Sequence, residues 1–338
     1  MAAVRKGRQT FVYERPPRVR AHASIVGPKE SAGPLAAYFD EASQDDLFGQ
    51  KTWEQGESEM LRRCVARAMR AGSLEAETAQ ALFCGDLNDQ IIATGFAARR
   101  LGLPLVGLYG ACSTFVEGLV VASALVSAGF LENALCAASS HFCTAERQFR
   151  FPLEMGTQRP PSAQWTATAA GCALLTAENG PGICVTAGTL GRIVDYSVKD
   201  ANHMGAAMAP AVRATILAHM EDTGATAEDF DMIATGDLGW IGRDILLELF
   251  RESGRPLPAD KLIDCGASLY FQEQDTHAGG SGCGCVAAVS CSWLMKRMER
   301  GELRRVLLVG SGAMLSPTST MQAETIPGIA YAARLEVR

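Results

Sequence analysis

The sequence predicts an α/β protein in which two repeated halves build a layered sandwich with helices at its centre. Three observations support this fold class. Residues 76–87 are echoed at 227–238, residues 110–139 are echoed at 282–311, and the helix after Cys112 is apolar nearly all round. The offset is 151 residues for the first pair and 172 for the second, which places a longer connection in the second half.

The composition indicates an ordinary folded protein. Of the 338 residues, 48% are apolar and 20% are charged, which excludes general disorder. The net charge of −6 argues against a nucleic-acid partner, because nucleic-acid-binding domains are usually basic. The longest uncharged stretch near the middle, residues 118–131, is shorter than the roughly 20 residues of a membrane-spanning helix. No apolar segment follows the basic N-terminus as it would in a secretory signal. We therefore expect a soluble protein.

The two halves share one order of elements, and we divide the chain into residues 1–180, which contain Cys112, and residues 181–338. Each half contains a strand, a glycine-containing turn, a buried helix, a further glycine and a second strand, a pattern typical of a βαβ unit in a parallel sheet. The predicted strands are 82–87, 105–108 and 134–139 in the first half, and 233–238 and 306–311 in the second. A helix that is apolar all round must be covered on every side, so one such helix from each half is expected to lie between two sheets.

An outer helix is predicted before the first repeated strand. Thr52 and Gln55 have the spacing of an N-terminal capping box. A periodic apolar run follows from Met60 to Met69, and Gly72 is the expected end of the helix.

Eleven cysteines are scattered through apolar segments, and this odd number favours reduced, buried thiols over disulfides. Only Cys283 and Cys285 are close in sequence, and their spacing lacks the second pair of a structural zinc site. We therefore predict neither a resident metal nor a cofactor.

Cys112 and His277 are the candidate nucleophile and partner. Cys112 follows a strand and a glycine turn at the start of the buried helix, where helix amides and the helix dipole lower a thiol pKa. Its repeat partner is Gly284, which argues that this thiol has a function, although it could also be one more core cysteine. His277 occupies the equivalent turn of the second half and could face Cys112 as a base, or it could be a loop histidine.

Five polar residues at or after the ends of predicted strands are further candidates for ligand binding. His141, Arg147 and Arg150 follow a core strand, and ligands of parallel sheets bind at the carboxyl ends of strands. Two arginines three residues apart suit carboxylate binding, with a surface charge cluster as the alternative. Asp86 and Asp237 are repeat-related carboxylates that could cap a helix, orient a donor or bind a cation.

The segments at residues 110–114 (Gly-Ala-Cys-Ser-Thr) and 277–282 (His-Ala-Gly-Gly-Ser-Gly) resemble the thiolase and ketoacyl-synthase superfamily. The resemblance implies a five-layered αβαβα sandwich and a homodimer. It also implies a helix-start cysteine that is acylated in the enzymes, while two second-half groups, His with His or Asn, support carbanion chemistry. Residues 235–238 read Thr-Gly-Asp-Leu where the synthases' other histidine would follow the strand, and residues 310–317 lack the thiolases' second cysteine. Without a full condensing triad, we expect a protein that is not an enzyme.

A narrower resemblance, to the stage V sporulation protein AD family, covers nearly the whole chain. It is carried by residues 27–30, 85–87, 110–114, 144–150, 278–283 and 324–327. The resemblance implies a non-enzymatic protein of spore-forming bacteria that binds dipicolinic acid (pyridine-2,6-dicarboxylic acid), with calcium accompanying the ligand, for uptake into the developing spore. It also implies partners among the other stage V sporulation proteins, including membrane components. The implied location is the forespore and spore, peripheral to the inner spore membrane.

Three functions remain open from the sequence. In a ligand-binding protein, Cys112 would form the pocket floor, Arg147 and Arg150 would pair with carboxylates, and Asp86 or Asp237 would orient donors or meet calcium. In a thioester-dependent acyltransferase or condensing enzyme, Cys112 would carry the acyl group. In a structural platform, the protein would hold membrane partners and bind no small molecule. Fold alone does not choose among them.

Overall fold

The computed structural model describes residues 3–149 and 159–338. Its strands are β1 Ala3–Lys6, β2 Thr10–Tyr13, β3 Arg18–Val26, β4 Glu41–Ala42, β5 Leu82–Gly85, β6 Leu105–Gly107, β7 Asn133–Ser140, β8 Trp165–Thr166, β9 Ala169–Thr176, β10 Ile183–Thr189, β11 Met232–Thr235, β12 Leu262–Asp264, β13 Gly280–Ser281, β14 Arg305–Ala313 and β15 Gly328–Val337. These include all five strands that the sequence predicts.

Helices separate most of the strands along the chain. They are α1 Pro28–Ser31, α2 Trp53–Ala71, α3 Ile92–Leu101, α4 Thr114–Ser127, α5 Phe142–Phe149, α6 Met204–Thr223, α7 Gly239–Glu252, α8 Cys265–Leu269, α9 Cys283–Val289, α10 Met295–Glu299 and α11 Pro317–Met321. A π-helical turn, Ser290–Leu294, joins α9 to α10. Helix α2 has the predicted ends, because the Thr52 hydroxyl accepts from the Gln55 amide at 3.3 Å and Gly72 is the C-cap.

Strand order shows the duplication directly. The first half has the order β3-β9-β7-β5-β6 across the sheet, and the second half has β10-β15-β14-β11-β12. Numbered along the chain, both are first, fifth, fourth, second and third. The two sets are joined at a single antiparallel pair, Arg18 with Cys184. The predicted construction from two duplicated halves is confirmed.

Each half-sheet is mixed rather than purely parallel. β7 runs parallel to β5, and β5 to β6, but β9 is antiparallel to both β7 and β3. Ala169 at the start of β9 pairs with Ser140 at the end of β7. The chain therefore re-enters the sheet at the end where β7 leaves it, and no crossover makes the strand parallel. The prediction of a parallel sheet is wrong for this strand and for β15, its counterpart.

The elements stack in five layers, which confirms the predicted αβαβα sandwich. Helices α2 and α3 cover the outer face of the first half-sheet, α6 packs on β14 and β15 of the second, and α7 packs on α6. Helices α4 and α9 lie between the half-sheets and contact each other. Phe115, Val116 and Leu119 of α4 are fully buried in the central core.

Helix α9 comes unusually close to the first half-sheet. A Cβ atom on Gly284 would lie 2.1 Å from the Ala169 carbonyl oxygen, and one on Gly171 of β9 would lie 2.2 Å from the Ala287 carbonyl carbon. Real side chains do not tolerate such distances. The repeat partner of Cys112 is therefore a glycine because backbone fills the space that a thiol would need.

Among the helices of the described residues, none combines the length and the apolar character needed to cross a membrane.

Candidate functional site

The turn between β6 and α4 places Cys112 at the start of the central helix. Ala111 has a positive φ of 50°, and the Ser113 hydroxyl donates to the Gly110 carbonyl at 2.6 Å. Cys112 is only 5% exposed, and its Sγ lies 3.9 Å from the Ser281 Oγ of β13. The thiol therefore faces the second half of the chain.

Asp237, at the end of β11, is the carboxylate that approaches this thiol. It is fully buried and accepts hydrogen bonds from the Gly282 amide at 2.9 Å, the Ser311 hydroxyl at 2.8 Å and the Ser281 hydroxyl at 3.3 Å. Its charge also acts on the Cys112 thiol. Burial raises the pKa of Asp237 to about 7. The two halves thus contribute one candidate residue each to a single buried site.

The environment of Cys112 opposes the thiolate that the helix start was expected to favour. Burial, followed by the charge of Asp237, raises the pKa of Cys112 well above its usual value. A negative carboxylate stands where an activating cation or imidazole would be needed. The expectation of a lowered thiol pKa is wrong, because desolvation and a like charge outweigh the helix amides.

His277 pairs with a carboxylate of its own turn rather than with the Cys112 thiol. Its φ of 53° lies in the left-handed region, and its Nε2 pairs with the exposed Asp275 carboxylate at 3.2 Å. In the described part of the chain, no hydrogen bond or ion pair joins His277 to Cys112. Ser281, four residues further along the same turn, occupies the position next to the thiol.

His141 is buried and holds local structure together. Its Nε2 lies 2.7 Å from the Asp46 carbonyl oxygen, and its Nδ1 accepts from the Cys143 amide at 3.1 Å. This pattern assigns a neutral ring with the proton on Nε2. Burial lowers the pKa of His141, which fits that assignment. The ring fixes the start of α5 against the loop before α2.

Asp86 caps the connection between β5 and α3. It is fully buried and accepts from the Asn88 amide at 2.9 Å and the Thr94 amide at 2.7 Å. Burial raises the pKa of Asp86. Of the roles left open by the sequence, these contacts favour helix capping.

Glu57 of α2 is a buried acid that the sequence analysis missed. Its carboxylate accepts from the Asn88 side-chain amide at 2.9 Å, the Ser139 hydroxyl at 3.1 Å and the Thr144 hydroxyl at 2.8 Å. Burial, with the nearby charge of Asp86, raises the pKa of Glu57 to about 8. Its position four residues before Leu61 puts it on the apolar stripe of the helix, and this spacing was the available signal.

Glu57→Gln is expected to make the free energy of unfolding less dependent on pH between about 5 and 8. The folded protein retains the Glu57 proton up to about pH 8, whereas the unfolded chain releases it near the usual pKa of about 4.3. The stability that this protonated acid contributes is therefore lost as pH rises toward the folded pKa. Urea unfolding at a series of pH values measures the slope.

Glu59, two residues further along α2, is the matched control of opposite sign. Hydrogen bonds from Arg62, with help from Arg63 and Arg100, lower the pKa of Glu59 to about 2. Its contribution is present above the unfolded pKa and is lost as pH falls toward 2. Glu59→Gln should therefore alter only the acidic limb. A Glu57→Gln profile parallel to wild type would rule out a protonated Glu57.

Arg147 lies on the surface beside α2. Its guanidinium donates to the Glu54 carboxylate at 2.8 Å and sits 4.9 Å from the centre of the Trp53 ring. These contacts match the surface charge cluster that the sequence left open for this arginine. Arg150, its predicted companion, lies outside the described residues.

Two cationic side chains lie against the aromatic ring of Trp165, an arrangement that the sequence analysis missed. Phe142 stacks on it with ring centres 3.5 Å apart and planes 3° from parallel. The Lys29 ammonium lies 4.1 Å and the Arg159 guanidinium carbon 4.8 Å from the centre of the same ring. Trp165 pairs with Gly280 in the ladder of β8 and β13. We call these four side chains the Trp165 cluster.

A buried acid lies next to the Trp165 cluster. Glu30 follows Lys29, is fully buried, and accepts from the Thr168 amide at 3.0 Å and from the Tyr270 hydroxyl. Burial raises the pKa of Glu30 to about 7. Gly27 leaves room for this carboxylate, since a Cβ there would lie 3.0 Å from its Oε2. These contacts explain much of the Gly-Pro-Lys-Glu segment at residues 27–30.

The sequence profile described as stage V sporulation protein AD matches residues 7–336. The chain belongs to the stage V sporulation protein AD family. Stage V sporulation protein AD of Bacillus subtilis (strain 168) is 42% identical to it over 325 residues, which cover 96% of each chain. Membership of the stage V sporulation protein AD family gives the protein a role in sporulation.

Solved structures of condensing enzymes share the fold. OleA of Xanthomonas campestris, with bound lauric acid and lauroyl-CoA, has a TM-score of 0.61 at 13% identity, covering 95% of this chain and 99% of that one. The 3-oxoacyl-[acyl-carrier-protein] synthase III of Aquifex aeolicus has a TM-score of 0.58 at 10% identity, covering 95% and 99%. At such identities the likeness establishes the thiolase-like fold of this stage V sporulation protein AD family member and nothing about its chemistry.

Proposed function

We propose that the protein binds dipicolinic acid, with calcium accompanying the ligand, without transforming it, and so supports dipicolinate uptake into the developing spore. One observation supports the non-enzymatic part above all. The Cys112 thiol is buried, and the charge of Asp237 acts on it, in a setting that favours the protonated thiol. A cysteine nucleophile reacts through its thiolate, and burial together with the Asp237 charge disfavours that form.

The Trp165 cluster is the ligand site that this function favours. Dipicolinic acid is a planar aromatic ring with two carboxylates. It can stack on aromatic side chains and accept charge-assisted hydrogen bonds from two cations. Lys29 and Arg159 supply two cations at one ring. Arg147 instead lies against Trp53 and pairs with Glu54.

Calcium enters this proposal as cargo. In residues 3–149 and 159–338, no group of three or more His, Cys, Asp or Glu side chains is arranged to hold a metal ion. A one-to-one chelate carries no net charge, whereas free dipicolinate is a dianion that gains from two nearby cations. Added calcium should therefore change both the affinity and its dependence on salt.

Further parts of the proposal concern assembly. We propose a homodimer that works with the other stage V sporulation proteins, including membrane components, at the inner spore membrane. β6 is an edge strand with exposed Leu105 and Val106, followed by exposed Tyr109. Pairing this edge with a second copy would cover unpaired backbone groups that otherwise favour aggregation.

Calorimetric titration with dipicolinate, with and without calcium, tests the function. We expect saturable binding at one site, and an unchanged intact mass after incubation with a panel of acyl-CoAs. An added acyl group that Cys112→Ala abolishes would overturn the proposal in favour of an acyltransferase. No binding heat under any condition, with no mass change, would favour a structural platform.

A further inference from the structure

We propose that a cavity in the outer helical layer, separate from Cys112 and from the Trp165 cluster, binds an amphipathic anion: a phosphate or carboxylate head on a short apolar body. The cavity measures about 580 Å³, within the range of ordinary ligand sites. It lies between the start of α2, with the loop before it, and one side of α3. The residues that carry the argument are Lys51, Ser58, Ile92, Phe96 and Arg99.

A buried hydroxyl without a partner lines the cavity. Ser58 is 4% exposed, and its Oγ has no hydrogen-bond partner in the structure. Buried polar groups nearly always have one, so each exception calls for an explanation. Ser58 is one of the residues that line the cavity, and an oxygen atom of a bound anion would give its hydroxyl the partner that it lacks.

The charges around the cavity favour an anion. Lys51 and Arg99 form no ion pair with the described residues, and both are exposed. Arg100 shares the single carboxylate of Glu59 with Arg62 and Arg63.

The one acid in the cavity wall is already compensated. Glu54 pairs with Arg147 at 2.8 Å. Two cations are therefore left to pair with a ligand, and phosphate and carboxylate oxygens are the usual partners of such groups.

An apolar wall indicates that the ligand has an apolar part. Ile92 and Phe96 stand one turn apart on α3 and are 41% and 44% exposed. The Arg99 guanidinium lies 4.7 Å from the centre of the Phe96 ring. An inorganic anion would leave this wall in water, whereas an alkyl or aryl body attached to the head would cover it.

Calorimetric titration of the full chain with hexyl phosphate tests the proposal. We expect saturable binding that is at least ten-fold tighter than that of inorganic phosphate, and no binding of 1-hexanol. Lys51→Gln with Arg99→Gln should weaken it at least ten-fold. Ser58→Ala should weaken it several-fold. The matched control is Arg67→Gln, which replaces a half-buried arginine of α2 that pairs with Glu41 and lies outside the cavity.

Three results would contradict the proposed anion site. No binding of hexyl phosphate, equal affinity for inorganic phosphate, or an equal loss in Arg67→Gln would each overturn the proposal. Ser58→Ala removes one hydroxyl and keeps the charges, so it tests the site even if the double variant folds poorly.

Sedimentation with phosphatidylglycerol vesicles, compared with phosphatidylcholine vesicles, tests whether the bound anion is a lipid head group or a soluble molecule. Residue-dependent co-sedimentation indicates a lipid head group, and its absence indicates a soluble anion.

Discussion

Lys29→Gln combined with Arg159→Gln is expected to weaken dipicolinate binding by about 100-fold or more. Each hydrogen bond to a charged group contributes roughly 1.5 to 3 kcal/mol, and about 1.4 kcal/mol corresponds to a factor of ten in affinity. Trp165→Leu should also weaken binding, because it removes the ring on which both cations lie. Calorimetric titration of each variant provides the measurement.

Two further variants test whether a loss of dipicolinate affinity is specific to the Trp165 cluster. Arg147→Gln decides between the surface pair with Glu54 and the carboxylate role that the sequence suggested for this arginine. If it alone abolishes binding while Lys29→Gln has no effect, the Trp165 cluster is not the site. Arg255→Gln removes an exposed arginine that pairs with Glu221 of α6, in the second half of the chain, and should leave the affinity unchanged.

Gly284→Ala is expected to lower the free energy of unfolding by about 3 kcal/mol, the upper end of the usual cost of overpacking a core. The new Cβ would lie 2.1 Å from the Ala169 carbonyl oxygen and 2.6 Å from the Ser140 amide nitrogen. Both are backbone atoms of the first half-sheet, so neither can move without shifting a strand. Urea unfolding followed by circular dichroism measures the loss.

Gly95→Ala is the matched glycine control. Gly95 lies inside α3, and nothing stands within 4 Å of the position that its Cβ would take. Alanine should therefore stabilise the protein by about 0.5 to 1 kcal/mol through its better helix propensity. If Gly284→Ala were equally harmless, α9 and β9 could not be as close as the structure has them.

Much of the fold could be predicted because it depends on local pattern. The repeat offsets located corresponding strands in both halves, and the all-round apolar helix after Cys112 required layers on both of its sides. The direction of β9 could not be predicted in this way. It depends on the end of the sheet at which the connection after Ser140 returns, and hydrophobic period does not encode that choice.

The candidate site was likewise only partly predictable from the sequence. Residue type and position relative to strands selected Cys112 and Asp237, and the structure brings these two together. The same reasoning paired Cys112 with His277, whereas the turn presents Ser281 to the thiol. Side-chain direction after a turn depends on its backbone angles, and His277 has a φ of 53° that the residue type does not predict.

The sequence by itself determined the repeated strands and buried helices, the duplication and the family, because each depends on spacing and residue type over short stretches. Only the tertiary structure decided which side chains meet. Glu57 became a buried acid, and the Trp165 ring lies against Arg159, which is close in the chain, and against Lys29, which is distant in the chain. Such contacts arise only when the segments that carry these side chains pack together in the fold. The thiol pKa was decided there too, because burial and one carboxylate from the second half outweigh the helix start.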